Sequence, residues 1–493
     1  MSLEVTRLTE RFTRPRAQGF HSLDATKTGT NRLYRCNRGG SRERPPPFRR
    51  NRCTPPYPTD YYYHGSPTVR CESRVVVPLM DVFQHVLAPM ISSNLLGDRY
   101  RMQLRPMKPV LIGYGETSVG ESLNCRYEEL NMWATREALR DVDLEPDDID
   151  GLIATAPFRT ERFPLPRLIE YLGIAPLNFA ELTGVGGASH VTSIHRAAGA
   201  IENGQAETIL VVAADALHSD IGPRTVIEEL SDSVSEFEDP ANIVPSLYAH
   251  VANWHLDTFG TTRKQLAEIA AIAHEHASLQ RAERAHRQEA KSADEILDAP
   301  MVATPLTADQ CALISDGGAA FIVTTEENAA ELDQVPVRLT GFGARHTHDH
   351  ISQMPSFNET GAIEAGQRAM AEATVDHADI DVLQIYDCFT ITVLRILEDL
   401  GFCERGNGGD LVDSGALRLT GKWPLNTHGG ALAQAHPGMP CGIFHITEAL
   451  RQLQGRAEAT QVDNASTALV HGNGGIFSTQ AVAILERGEC HAD

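Results

Sequence analysis

Four short loops hold most of the side chains able to do chemistry: GVGGASH at 184–190, IYDCF at 385–389, NTHGGALAQAHPGMPCG at 426–442 and HGNGG at 471–475. A phenol such as Tyr386 can donate to a substrate oxygen or accept from one. An imidazole such as His436 or His471 can move a proton near neutral pH. Asp387, beside Tyr386, either orients a partner or caps a helix. Ser189 opens a helix and is expected to line the substrate site in a packing role at the helix N-terminus, not as a nucleophile, because no GxSxG elbow surrounds it. Gly187, Gly474 and Gly475 let backbone come close to a ligand. Asn426 and His428 complete the expected lining, with Tyr248 as a more distant pocket candidate. Cys388 is expected to pack. HTHDH at 346–350 fits no zinc-ligand spacing and is read as a solvated loop, so no metal is expected.

These loops need elements to hold them. From Pro109 the chain alternates β and α signals. Strands are expected over 109–115, 151–156, 177–184, 207–215 and 315–326, and helices over 127–142, 165–173 and 188–202. A loop-rich, helical insertion is expected over 216–314. The plan then repeats. ALRDVDLEPDDIDGLIATA at 138–156 matches AMAEATVDHADIDVLQIYD at 369–387, and a Gly-rich turn, helix and strand recur at 186–215 and 438–471. Two copies of one α/β unit imply a pseudo-twofold core of two sheets, with helices between and outside them. The halves are expected at 107–330 and 331–493.

Charge separates 1–106 from the rest. That segment carries 18 Lys+Arg against 8 Asp+Glu, whereas 107–493 carries 25 against 57. The proline- and arginine-rich 1–106 is expected to be a disordered extension or a mis-assigned start. The acidic remainder has four lysines, Lys108, Lys264, Lys291 and Lys422, which suits a surface hydrated in a salt-rich cytoplasm. It offers no basic stripe for nucleic acid and no apolar run fit to span a membrane. The run ELSDSVSEFEDP at 229–240 is expected to be exposed loop. Nine cysteines without a CxxC pair fit reduced thiols.

Over 107–493 the motifs resemble thiolases, in particular the lipid-transfer-protein, sterol-carrier-type branch. The 426–442 loop resembles that family's N-x-x-G-G…G-H-P-x-G loop, with Ala435 in place of a glycine. IYDCF resembles H-D-C-F with Tyr386 for histidine, and SDGGAAFIV resembles S-D-G-A-A. The resemblance implies a five-layer α-β-α-β-α fold, usually dimeric, with a pantetheine tunnel to a site between the halves. It implies a coenzyme A thioester as substrate and no bound cofactor. The family's C-A-S-G motif falls on Gly187, Ala188, Ser189 and His190, so the nucleophilic cysteine is replaced by glycine. His436 matches the histidine that helps hold the thioester oxygen. His471 falls near the place of the second cysteine.

Without a thiolate at a helix N-terminus, carbon–carbon cleavage or formation lacking an acyl-enzyme is expected. A retro-aldol reaction of a β-hydroxyacyl-CoA fits best. Tyr386 would move the β-hydroxyl proton, and His436 with backbone amides would steady the enolate oxygen. The alternatives are an acetyl-CoA C-acyltransferase and a non-catalytic acyl-CoA- or lipid-binding subunit. The branch also implies a small OB-fold, zinc-containing partner. The acidic composition predicts that molar KCl raises the melting temperature; a flat or falling melting curve with salt would contradict it.

Overall fold

The computed structural model describes residues 107–158, 163–222, 225–226 and 243–489. The 1–106 segment and the acidic run 229–240 lie outside the described residues.

The first half contains β1 (Pro109–Glu116), α1 (Tyr127–Asp141), β2 (Gly151–Thr155), α2 (Pro164–Leu172), β3 (Phe179–Thr183), α3 (Ser189–Glu202) and β4 (Thr208–Ala216). The insertion adds α4 (Val244–Phe259), α5 (Arg263–Ser278), and the short strands β5 (Met301–Ala303) and β6 (Leu306–Thr307). The half closes with β7 (Asp316–Thr325). The second half contains β8 (Val337–His346), α6 (Ala362–Ala373), β9 (Val382–Ile385), α7 (Thr390–Asp399), α8 (Ile443–Leu453), β10 (Thr467–Gly474) and β11 (Thr479–Arg487).

Strand order shows the repeat. In the first half it runs β3-β2-β4-β7-β1, with β2 parallel to β3 and β4, and β7 antiparallel to β4 and β1. In the second it runs β9-β10-β11-β8 with the same sense. The counterpart of β3 has shrunk to one parallel bridge, Leu383 with Leu425. Two separate sheets were expected. The halves instead meet edge to edge through one pair, Leu111 with Val337, giving a continuous nine-stranded sheet.

Two local devices explain why the sequence echoes were readable. Asp150 accepts from the amides of Glu207 (3.0 Å) and Thr208 (2.9 Å), where β4 starts. Asp381 accepts from Ser466 (2.8 Å) and Thr467 (3.0 Å), where β10 starts. Outer helices dock on glycines alike. A Cβ on Gly115 would lie 2.5 Å from the Ala134 carbonyl oxygen of α1. One on Gly343 would lie 2.0 Å from that of Ala365 in α6.

α3 and α8 lie between the half-sheets, in one apolar cluster that joins Ile194, Ala197 and Ile201 to Phe444, Ala449 and Leu450, and both to strands of each half. α1 and α2 cover the outer face of the first half through Ala134, Ala138, Leu168 and Leu172. α4, α5 and α7 form a third cluster with second-half residues such as Leu383 and Ile385. The insertion therefore belongs to the first half by sequence but packs on the second.

A charged knot lies inside the central layer. Arg451 of α8, 1% exposed, reaches Glu116 of β1 at 2.7 Å and also bonds Glu448; Thr447 bonds Glu116 as well. Burial pushes Glu116 up, but Arg451 and Arg284 hold it below the usual carboxylate range. Arg451→Ala would strand two buried carboxylates. It is expected to lower the unfolding free energy by about 3–5 kcal/mol, measured by urea titration; a loss below ~1 kcal/mol would show that the pairs contribute little.

Candidate active site

Tyr386 leaves the end of β9 and is buried, 5% exposed. The loop 426–436 clamps the backbone on both sides of it. The Asn426 side chain accepts from the Ile385 amide at 2.8 Å and donates to the Ile385 carbonyl at 2.8 Å. It mimics a neighbouring strand, and Asn tolerates the positive φ of 46° required there. The Asp387 carboxylate accepts from the amides of Ala431 (2.7 Å) and Leu432 (3.3 Å), capping the short helix Gly430–Ala433. The capped helix is thus a distant one, not α7, which follows Asp387 in the chain.

The phenol lies 3.2 Å from His436 Nε2. Burial pushes the Tyr386 hydroxyl well above its ordinary value, so it stays protonated at neutral pH. Burial pulls His436 down to about 4, so the imidazole is neutral. Ser315 holds His436 from below, accepting from its backbone amide at 2.8 Å. With Nε2 facing Tyr386, His436 is placed as the phenol's partner rather than as a free donor to a thioester oxygen.

Gly187, in the turn Gly186–Ala188 before α3, faces the same ring. A Cβ on it would fall 2.1 Å from Tyr386 Cε2 and 2.3 Å from Cζ. The volume that a nucleophilic side chain would need is filled by the phenol.

His471 of β10 is fully buried. Its Nε2 lies 2.7 Å from Gln480 Oε1, and the Gln480 amide donates to Asn473 Oδ1 at 2.7 Å. The Asn473 amide in turn donates to the Tyr248 hydroxyl at 3.0 Å, which donates to the Gly475 carbonyl at 3.0 Å. Read along the chain of donors, Gln480 presents its oxygen, so His471 carries its proton on Nε2. Its bare Nδ1 has no hydrogen-bond partner among the described residues. Tyr248, buried and stacked 4.3 Å from Phe389, therefore ends a structural network.

Other expected ligand contacts are also committed to protein. Ser189 Oγ accepts from the Val185 amide at 3.0 Å and so ties the start of α3 to the turn before it. Asn426 is engaged with Ile385 and Asp387. Gly474 and Gly475 serve close approach between loops: a Cβ on Gly474 would lie 1.9 Å from the Val185 carbonyl oxygen, and one on Gly186 would lie 3.1 Å from the Gly475 amide nitrogen. Both glycines pack against the 184–187 turn, where the two halves meet. His428 is buried and stacks edge-on against His445, ring centroids 5.0 Å apart.

His445 of α8 was missed by motif reading. It is 1% exposed, lies 3.5 Å from Asp387 Oδ1 and 5.9 Å between ring centroids from Tyr386, and neither nitrogen has a hydrogen-bond partner among the described residues. Burial, then the neighbouring His428, His471, His190 and His436, hold it well below its usual value. Burial pushes Asp387 up to about 7. A helical spacing that also suits plain core packing gave no signal for His445. Asn473 and Gln480 were hidden likewise, since alternation along a strand does not reveal a cross-strand amide pair. HTHDH is anchored to the turn before β11, with His348 Nε2 3.0 Å from the Ile476 carbonyl. Among the described residues, no group of three or more His, Cys, Asp or Glu side chains is arranged to hold a metal ion.

Burial pulls His190 down to about 3 and both His428 and His471 down to about 4. Their folded values lie below the unfolded value near ~6.5, so the unfolded chain binds protons first as pH falls. The stability they contribute is complete above that value and is lost as pH falls toward about 4. Asp387 and Asp215, both raised to about 7, act in the opposite sense: the unfolded chain gives up those protons first as pH rises toward 7. Nitrogen-15 spectra of the histidine rings should therefore show His471 as a neutral Nε2–H tautomer from pH 8 down to about 5.5. An imidazolium signal for it at pH 6 would contradict the network.

Comparison with known proteins agrees with this construction. Residues 343–487 match the thiolase C-terminal domain-like family. The chain is 29% identical over 387 residues to an acetyl-CoA acetyltransferase of Methanothermobacter thermautotrophicus, covering 76% of this chain and 99% of that one. It is 32% identical over 256 residues to sterol carrier protein 2 of Rattus norvegicus, covering 50% of this chain and 45% of that protein. The solved Ltp2-ChsH2(DUF35) aldolase superposes with a TM-score of 0.68 at 26% identity, covering 78% of this chain and 98% of that chain. The chain belongs to the thiolase superfamily, with relatives on its sterol-carrier branch.

Proposed function

We propose that this chain is a thiolase-like lyase that acts on acyl-CoA thioesters, cleaving a β-hydroxyacyl-CoA by a retro-aldol step without an acyl-enzyme. The observation that carries the reading is the Tyr386 ring occupying the space above Gly187. The similarity to the Ltp2-ChsH2(DUF35) aldolase supports the same reaction class.

The β-hydroxyl proton passes to the Tyr386 oxygen while the phenolic proton passes to His436 Nε2, 3.2 Å away. The bond between the α- and β-carbons breaks, the β-carbon becomes a carbonyl, and the electron pair forms the thioester enolate. Backbone amides at the start of α3 steady the enolate oxygen, where the helix dipole favours negative charge. The relay then returns its proton to the α-carbon, so protons balance over the cycle.

An acyltransferase reading has the acetyltransferase relative in its favour. It needs a thiolate. Burial pushes Cys388 up to about 11 and Cys441 well above its ordinary value, so neither thiol beside Tyr386 suits that role. A non-catalytic acyl-CoA- or lipid-binding subunit would need none of the relay.

The ChsH2(DUF35) named in the superposed structure supports a small OB-fold, zinc-containing partner here as well. A homodimer is supported by β3, which ends the sheet as an edge strand with Leu182 37% exposed. The surplus of carboxylates supports a salt-rich cytoplasm. No described helix is long and apolar enough to cross a membrane.

Purified protein incubated with β-hydroxyacyl-CoA, alone and with such a partner, is expected to release a carbonyl product and a shortened acyl-CoA. Tyr386→Phe should lower kcat about 10²–10⁴-fold with little change in ligand affinity, and His436→Ala should act in the same direction. No product under either condition would discard the lyase; full activity in Tyr386→Phe would discard the relay.

A further inference from the structure

The contact between Gly187 and Tyr386 constrains more than the absence of a nucleophile. A Cβ at 187 would meet ring atoms at 2.1 and 2.3 Å and the Asn473 carbonyl oxygen at 2.7 Å, all inside the distance that real side chains keep. None of these neighbours yields cheaply. The carbonyl belongs to β10. The ring cannot retreat, because the Asn426 side chain ties down Ile385, the Asp387 carboxylate ties the next residue to Ala431 and Leu432, and the hydroxyl is seated on His436.

We propose that Gly187 and Tyr386 are a mutually exclusive pair that selects the reaction: the site accommodates a side chain at 187 or the phenol at 386, and never both. With the phenol present, a proton-moving group stands where a bond-forming one would be, and the bound thioester is spared acyl transfer. With a thiol at 187 and a small residue at 386, the opposite holds. The thiolate at the start of α3 attacks the thioester carbonyl, the carbon–sulfur bond to coenzyme A breaks, coenzyme A leaves as its thiol after taking up a proton, and the acyl group stays on the new sulfur. The acyl-transfer half of this proposal rests on the acyl-CoA reading above; the steric half does not.

The test is a double-mutant cycle in the full chain with Gly187→Cys, Tyr386→Ala and both together. Melting temperature reports the steric half. Gly187→Cys should lower it sharply beside Tyr386 and little beside alanine, so the double variant melts above Gly187→Cys. The introduced thiol should react with iodoacetamide at least about ten-fold faster in the double variant, whose site has lost the covering ring. Acetyl-CoA should leave an acetyl group on residue 187 of the double variant, seen by peptide mass spectrometry with matching release of free coenzyme A. Equal melting losses in both backgrounds, or equal thiol reactivity, would overturn the pair. Steric coupling and thiol reactivity as expected, but with no acetylation, would uphold the pair and overturn the acyl-CoA reading of the site.

Discussion

Asn426 replaces a missing strand. In the first half, β2 is flanked by β3 on one side; in the second half, β9 has only the Leu425 bridge there, and the Asn426 amide completes the pairing by exchanging two hydrogen bonds with Ile385. The strand end is thereby fixed where the next residue, Tyr386, must enter the site. Buried backbone groups have to be paired, so the chemistry at 386 depends on a side chain forty residues away. Asp387 repeats the device one step along, using the exposed amides of a helix too short to satisfy them itself.

A second constraint is electrical. Tyr386, His436, His428, His471, His445 and His190 lie close together under little solvent, and burial disfavours the charged form of each. The site is therefore lined with neutral proton carriers and not with ion pairs. Apart from Asp387, the formal charge nearby is a layer away, in the knot of Arg451, Glu116 and Glu448, which touches the site through the Thr427 bond to Glu448 beside His428. A neutral, poorly solvated lining suits the creation of an enolate, whose charge is then stabilised by fixed dipoles and not competed for by cations. The buried nitrogens of His445 and His471 that lack partners among the described residues are the cost of this arrangement, on the order of 1–3 kcal/mol for each group left unsatisfied.

The insertion joins these features. It leaves the first half after β4, yet His276 of α5 lies 2.9 Å from the Leu425 carbonyl, Gln280 donates to the Thr427 carbonyl at 3.2 Å, and Arg287 donates to the Leu432 carbonyl at 3.0 Å. The loop that clamps Tyr386 is thus itself held by the other half of the molecule. The halves also meet directly, backbone to backbone, where Gly186 and Gly187 face Asn473 and Gly474.

Local chemistry in the chain was enough to announce the repeat, because Asp150 and Asp381 do the same capping work in each half and the glycines of β1 and β8 receive alanines of α1 and α6 in the same way. It was enough also to mark the four loops and the glycine at 187, which are matters of residue type and order. Partnership was a different matter. That Asn426 braces a strand and that His445 sits beside Asp387 are outcomes of approach between segments far apart in sequence, and that Gln480 sets the proton on His471 is an outcome of the pairing of neighbouring strands. Periodicity records which face of an element is buried, and cannot record which polar group waits on the other side; that was decided when the two halves and the insertion closed around Tyr386.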